Sequence, residues 1–497
     1  MKVVVLSPTI TLIKEVSEAE KSKLQALSSF KNTSVGYLIK QHQGKSWLKK
    51  NKPDVWNAIQ RDLSAKYEGT ILERKGDIVI TKTGHLPYLM NEMDIEVVEN
   101  RIVYPEPKSI PFKKPLPFEL YPYQEEAVEK LIKEKHGNAE LSVGLGKTAI
   151  LMTLVQRMGL RAVIGVPSRA IFYEVLEKCQ EHFGIDNVGY LGDSKKKIGK
   201  RVMVCISKSL SLLKKGTPEY EDISTRDVMA IDEAHCWASE TLDSTTSGVF
   251  RDIPYRFFVT GTLTRGDGTL KILESIVGKT VIEMETKEGI AKGFLCPLEF
   301  TIVETYSPSK MSYKDPGKMR RVHFLNNTEI ARIIAKIANE AGQRGEGTLV
   351  LVEEMSQIPL LAKLLTVPYG IAHGNSTSKE DQEKNGLVKC DVKKEIEDFN
   401  LGKTKVLIGS STIQTGCNIF PTHNCCNWLG GASEIDQKQG PIGRCVRILG
   451  ITKYAQYHAP KPVANIYDFK VLEQESSLKK RTSFYKQTGG KISVIRI

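Results

Sequence analysis

Apolar residues gather along this chain in short continuous blocks, separated by stretches whose apolar positions recur with helical spacing. Residues 162–166, 202–206 and 228–231 are nearly all apolar over four or five positions, the signature of strands buried on both faces. Helical patterns lie between them, the first near residues 124–134, so this region predicts a doubly wound parallel sheet. A second alternation runs through residues 298–303, 348–352, 406–408 and 464–467 and predicts another α/β lobe. Ahead of both, strand-like runs at 2–6, 70–73 and 77–81 and helix-like stretches near 17–29 and 52–64 predict a small α+β domain. Residues 310–321 and 375–389 are polar and irregular and read as loops or loose helices.

Between Tyr104 and Pro122 the chain carries Pro105, Pro107, Pro111, Pro115 and Pro117 among basic residues, and no continuous helix survives that spacing. This stretch reads as a linker. The expected organisation is therefore an accessory domain at 1–115, lobes at 116–296 and 297–470, and a basic tail at 471–497. A length of 497 residues exceeds what one core serves.

Between two of the blocks sits Ser142-Val143-Gly144-Leu145-Gly146-Lys147-Thr148. A glycine-rich turn ending in Lys-Thr lets backbone N–H groups approach phosphates; Lys147 then reaches the terminal oxygens and the Thr148 hydroxyl joins a Mg²⁺ shell. The usual first glycine of this pattern is Leu141 here. The apolar run 228–231 then delivers Asp232-Glu233-Ala234-His235, where Asp232 would hold the metal and Glu233 would polarise the attacking water. The two motifs together, each at the end of a strand, predict an ATP engine.

Charge changes the picture at the termini. The chain has 71 Lys+Arg against 58 Asp+Glu, a net +13, and residues 1–115 and 461–497 carry most of the excess. A polyanionic partner fits. The nine cysteines show no paired C-x-x-C spacing and read as reduced, buried thiols; His423-Asn424-Cys425-Cys426 lacks a second ligand pair for zinc. With no cleavable apolar leader and no run of about 18 apolar residues, a cytoplasmic protein is expected.

The remaining signals, in order, are Tyr121-Pro122-Tyr123-Gln124, Val166-Pro167-Ser168-Arg169, Ser207-Lys208, Thr260-Gly261-Thr262, Ala372-His373-Gly374, residues 410–418, and Ile442-Gly443-Arg444-Cys445-Val446-Arg447. In this order the motifs resemble those of a superfamily 2 helicase over residues 118–470, and among such helicases the phage UvsW-type branch-migration enzymes most of all. The resemblance implies two tandem RecA-like lobes that use ATP and Mg²⁺ to move on DNA. It implies forks, D-loops and Holliday-type junctions as substrates in recombination, repair or replication restart, a monomer as the working state, and the host cytoplasm as the location of a phage enzyme. By the same resemblance Gln124 reads adenine with Tyr121 or Tyr123 stacked nearby, and Gly416 and Asn418 face the nucleotide sugar. His235, Thr260 and Thr262 couple hydrolysis to lobe movement, and Arg444 and Arg447 reach the γ-phosphate. Two departures stand out: Gly440 occupies the position of the family's glutamine, with Gln437 and Gln439 nearby, and Asn418 replaces an aspartate.

Ser168, Arg169, Ser207, Lys208, Ser410 and Ser411 match the family's nucleic-acid loops, where hydroxyls and basic groups hold phosphates without reading sequence. In the first domain Trp47 sits in a basic run with Lys49 and Lys50. That run is either a stacking platform for unpaired bases or a solvated loop with a packing tryptophan. Lys479-Lys480-Arg481 with Tyr485 and Lys486 is either a solvated helix face or a buttress for DNA. An RNA helicase, a duplex translocase that separates no strands, and an ATP-gated clamp without turnover remain as alternatives.

Overall fold

The computed structural model describes the chain except residues 44–45, 117–118, 238, 262–269, 310–314, 374–389, 411–412, 414–417, 431–436 and 472–474. Contacts divide it into two units: residues 1–141 with 146–283, and residues 142–145 with 284–497.

The first unit holds two sheets. An outer one of five strands runs in the order Glu73–Lys75, Ile78–Lys82, Ile10–Lys14, Lys2–Val5, Glu96–Asn100. Its inner face packs Val3, Val5, Ile13 and Val79 against Leu24 of the helix Glu18–Ser28 and against Leu86 and Leu89. That helix starts where Ser17 and Glu20 cap each other reciprocally. The helices Thr33–Gln43, Ser46–Asn51 and Pro53–Tyr67 lie between the paired strands Ser29–Lys31 and Glu68–Thr70, an insertion that the sequence pattern marked only in part.

The main sheet of this unit has eight strands, with Ala162–Val166 and Val228–Asp232 at its centre and Tyr255–Thr260 and His136–Leu141 beside them, all four parallel. Their side chains are buried almost throughout, which is why these strands read as continuous apolar runs. The outer sheet docks on this one through Gly84, where a Cβ would lie 2.5 Å from the Ser275 carbonyl oxygen, and through the Lys82–Asp243 ion pair.

The second unit is a seven-stranded sheet whose paired neighbours are all parallel: Tyr369–Ala372, Val406–Gly409, Thr348–Val352, Asn424–Trp428, Ala464–Lys470, Leu298–Glu304, Lys491–Arg496. Its details depart from the sequence expectation at several places. Asn424–Trp428 is a central, fully buried strand although Asn-Cys-Cys-Asn-Trp shows no aliphatic run; its cysteines serve as small apolar side chains. Residues 471–497 are no tail: Glu475–Gln487 is a helix with a buried face, and Lys491–Arg496 is the edge strand. Residues 284–296 group with the second unit and not with the first lobe. Of residues 310–321, expected as loops or loose helices, 315–321 are described and contain the short helix Pro316–Arg320 started by Asp315, while 375–389 lie outside the described residues.

Candidate active site

In the first unit, parallel strands bring their C-terminal ends to one edge, and Lys147, Thr148 and the acidic box follow such ends. His136–Leu141 ends at the phosphate turn, after which the helix Lys147–Met158 begins. Gly144 and Gly146 have φ of +94° and +75°, a region that glycine enters without a Cβ penalty. Leu141, where the pattern's usual first glycine is missing, is still strand: its side chain is buried and only its carbonyl is used, accepting from Lys147 Nζ at 3.3 Å. The departure therefore leaves the turn itself intact.

Lys147 is 8% exposed, and its ammonium lies 3.1 Å from Glu233 Oε1. Asp232 closes the strand Val228–Asp232 and Glu233 follows at φ +49°, a left-handed conformation that a glutamate adopts only under constraint. The constraint is visible: the Glu233 backbone N–H donates to the Val259 carbonyl at 2.9 Å, and its Oε2 accepts from the Gly261 N–H at 3.2 Å. His235 Nδ1 is hydrogen-bonded to the Thr260 hydroxyl and lies 3.4 Å from Glu233 Oε2. The acidic box and the Thr-Gly segment thus form one buried network centred on Glu233. Thr262 lies outside the described residues.

The two neighbouring carboxylates are driven apart. Burial, then the adjacent Glu233, pushes Asp232 above the usual carboxylate range. Burial acts to raise Glu233 as well, but the Lys147 charge and then His235 outweigh it and hold the group low. Asp232 Oδ1 is buried with no hydrogen-bond partner among the described residues, the state expected of an oxygen whose proper neighbour is a cation. Asp232 and Thr148 supply oxygens of the kind that would hold a Mg²⁺.

Gln124 sits over the turn. It is 3% exposed, its Oε1 accepts the Tyr121 N–H at 2.9 Å, and a Cβ placed on Gly146 would lie 2.3 Å from its Nε2. Tyr121 and Tyr123 stack with ring centroids 5.9 Å apart. The sequence placed these residues together only by order; the fold puts the amide against the phosphate turn.

The second unit holds the arginines on a short helix, Gly443–Cys445, and the residues just after it. Arg444 is 2% exposed. Arg447 donates to Asn418 Oδ1, lies over the Phe420 ring at 5.6 Å, and its carbonyl accepts from Lys461 Nζ at 2.6 Å. Asn418, expected at the nucleotide sugar, is therefore the partner of Arg447 here, and Gly416 lies outside the described residues. Lys438–Ile442 is a π-helical turn. Gly440, at the position of the family's glutamine, lies within this turn and is buried. Gln437, fully buried, accepts from Asn427 Nδ2 at 3.1 Å and lies 3.1 Å from the Tyr485 hydroxyl, a connection that no local pattern announced.

The expected nucleic-acid residues divide. Ser168 is the N-cap of the helix Arg169–Phe183, and Arg169 pairs with Asp193 at 2.9 Å while staying exposed. Ser207 is buried and donates to the Pro167 carbonyl at 3.3 Å, tying the two loops together, whereas Lys208 is exposed. Ser410 follows the strand Val406–Gly409, and Ser411 lies outside the described residues. Trp47 is 66% exposed beside exposed Lys49 and Lys50, so the packing tryptophan of this region is instead Trp56, stacked on His42 at 5.2 Å with Lys49 over its ring. No helix among the described residues is long and apolar enough to cross a membrane.

The family model described as Type III restriction enzyme, res subunit, matches residues 117–265. The DNA 3'-5' translocase XPB2 of Sulfurisphaera tokodaii is 26% identical over 393 residues, 72% of this chain and 84% of that one. In structure, Saccharomyces cerevisiae Dbp5 in complex with Gle1 matches 76% of this chain and 88% of its own, with a TM-score of 0.51 at 16% identity. T4 UvsW aligns over 100% of this chain and 99% of its own at a TM-score of 0.42 and 13% identity. Motif order, two α/β units with parallel sheets and this kinship agree: residues 117–265 match the res-subunit family, and the chain as a whole is similar to ATP-dependent DNA helicases and translocases.

Proposed function

We propose that the chain is an ATP-driven DNA translocase that acts on branched DNA. The observation that carries the motor is the buried network of Lys147, Glu233, His235, Thr260 and Gly261, which joins the phosphate turn to the segment following the next strand. A change at the γ-phosphate would reach that segment through two hydrogen bonds. Lys147 and the turn amides hold the phosphates, Gln124 reads the adenine edge, and Thr148 with Asp232 holds Mg²⁺, which would neutralise phosphate charge. Glu233 accepts a hydrogen bond from the attacking water. Arg444 and Arg447 stabilise charge on the γ-phosphate.

DNA as the track follows from the kinship with a DNA translocase and from the basic surface. Branched DNA is favoured by the helical insertion of the first unit. Residues 33–67 carry seven basic and two acidic side chains and expose Trp47 and Tyr37, a combination suited to phosphates beside unpaired bases. Separating a base-pair step costs about 1.4 kcal/mol on average, and branch migration, which exchanges pairs, costs less, so ATP turnover suffices for either.

The test is ATP hydrolysis at fixed salt with no nucleic acid, single-stranded DNA, duplex, fork, four-way junction and RNA. Strongest stimulation by fork and junction supports the proposal; preference for RNA overturns the choice of track. Equal, slow phosphate release by wild type and Glu233→Gln, with DNA still bound, overturns the motor and leaves a clamp.

A further inference from the structure

The helix Glu475–Gln487 has two chemically opposite faces. Leu478, Arg481 and Tyr485 point into the second unit and are buried. Lys479, Thr482, Ser483 and Lys486, spaced i, i+3, i+4 and i+7, form a stripe on another side. With Lys470 and the edge of Leu478 these four line an open groove of about 350 Å³. Lys470 is the last residue of Ala464–Lys470 and shares the Glu304 carboxylate with Arg496, at 2.7 and 2.6 Å. Lys486 has no ion-pair partner among the described residues, and both it and Lys479 are exposed.

The helix cannot roll to hide this stripe. Arg481 Nε donates to Asp468 Oδ2 at 2.6 Å, and the Tyr485 hydroxyl donates to the same oxygen at 2.8 Å. Arg481 also donates to the carbonyl of Gly430 at 3.1 Å. The lysines are flexible at their tips, but their backbone positions are fixed by a buried pair.

We propose that this groove binds the phosphodiester backbone of the nucleic acid on which the motor runs, as a grip additional to the loops at the motif strands. The proposal rests on the nucleic-acid motor reading above. From Lys479 to Lys486 the helix rises about 10 Å, and one strand of a duplex presents a phosphate about every 3.4 Å along the axis, so the stripe spans up to about three phosphates. Two lysines with the Ser483 hydroxyl between them suit that spacing: point charges at the ends, a neutral donor in the middle beside Thr482, whose own proton goes to the Leu478 carbonyl at 2.9 Å, and no group that reads a base. Position supports the same occupant. Lys470 and Gly409 both end parallel strands at one edge of the sheet, and three strand spacings, about 14 Å, separate them. A backbone gripped at Ser410 therefore has the groove farther along the same edge.

The test uses the full chain with Lys479→Gln/Lys486→Gln, and separately Thr482→Val/Ser483→Ala. Binding of a fluorescent forked DNA is followed by anisotropy from about 50 to 200 mM salt, with thermal midpoint and DNA-free ATPase as controls. The lysine pair should lower the slope of log K against log salt by about 1.8, or about 0.9 for each phosphate that is no longer neutralised. The hydroxyl pair should weaken binding severalfold at every salt with the slope kept, and the controls should stay at wild-type values. An unchanged slope in the lysine pair makes the stripe a solvated face and overturns the groove alone. Loss of midpoint and DNA-free ATPase in step with binding also overturns it, because the residues would then be structural. A wild-type chain that binds no nucleic acid overturns the motor reading together with the groove.

Discussion

Replacing Arg481 by methionine separates a surface helix from a structural one. Both members of the Arg481–Asp468 pair are essentially inaccessible, at 0% and 1% of side-chain exposure. Methionine keeps much of the aliphatic volume but leaves the Asp468 carboxylate with the Tyr485 hydroxyl and the Phe469 N–H as its remaining donors. Removing one partner of a buried ion pair costs about 3–5 kcal/mol, far above the 0–1 kcal/mol of a surface pair. At about 2–4 °C per kcal/mol for a domain of this size, the unit's melting transition should fall by roughly 10 °C. Adding Asp468→Asn should recover part of the loss, since no buried charge then remains. The assay is calorimetry of the full chain with hydrogen exchange on Asn424–Trp428 and Ala464–Lys470 to assign the transition, and Lys480→Met on the same helix is the control. If Arg481→Met and Lys480→Met shift the transition equally, or the Arg481 change costs under about 1 kcal/mol, the buried-pair reasoning fails.

Gly146→Ala places a Cβ in a left-handed residue and against Gln124, so KM for ATP should rise about tenfold, near 1.4 kcal/mol, while a triphosphate lacking the adenine edge loses less. Steady-state hydrolysis of ATP and GTP side by side checks this. His136 is half-buried, donates to the Ile276 carbonyl at 2.9 Å, and has a pKa pushed down to about 3 by desolvation and then by Arg256. Its folded value lies below its unfolded one near 6.5, so its contribution is full above that pH and drains away as pH falls toward 3, by up to about 1.4 kcal/mol per pH unit. Melting of the first unit should therefore fall steeply below pH 6.5, and His136→Gln should flatten that slope in a pH series. Trp47→Ala should reduce fork affinity about tenfold, within the 1–3 kcal/mol of a stacked base, and leave DNA-free ATPase and melting unchanged. Trp56→Ala, by contrast, should lower melting, because its ring packs between His42 and Lys49.

The sequence by itself determined the layers, most central strands and the chemistry of the phosphate turn. Continuous apolar runs and the Gly-Lys-Thr and Asp-Glu-Ala-His segments are local signals: each strand announces its own burial, and each motif binds through its own backbone or side chain. Local pattern failed where burial was polar. Asn424–Trp428 hides a central strand behind cysteines and asparagines, and Arg481 and Tyr485 sit among lysines in a segment that reads as either a solvated helix face or a buttress for DNA. Only tertiary packing supplies Asp468 and Gln437 to neutralise or bond them, since an isolated buried charge would not be tolerated. The same holds for the site. Sequence order named Lys147, Glu233, His235 and Thr260, but the parallel register of strands distant along the chain decided that they share one network. A π turn, invisible in composition, occupies the segment just before the arginines.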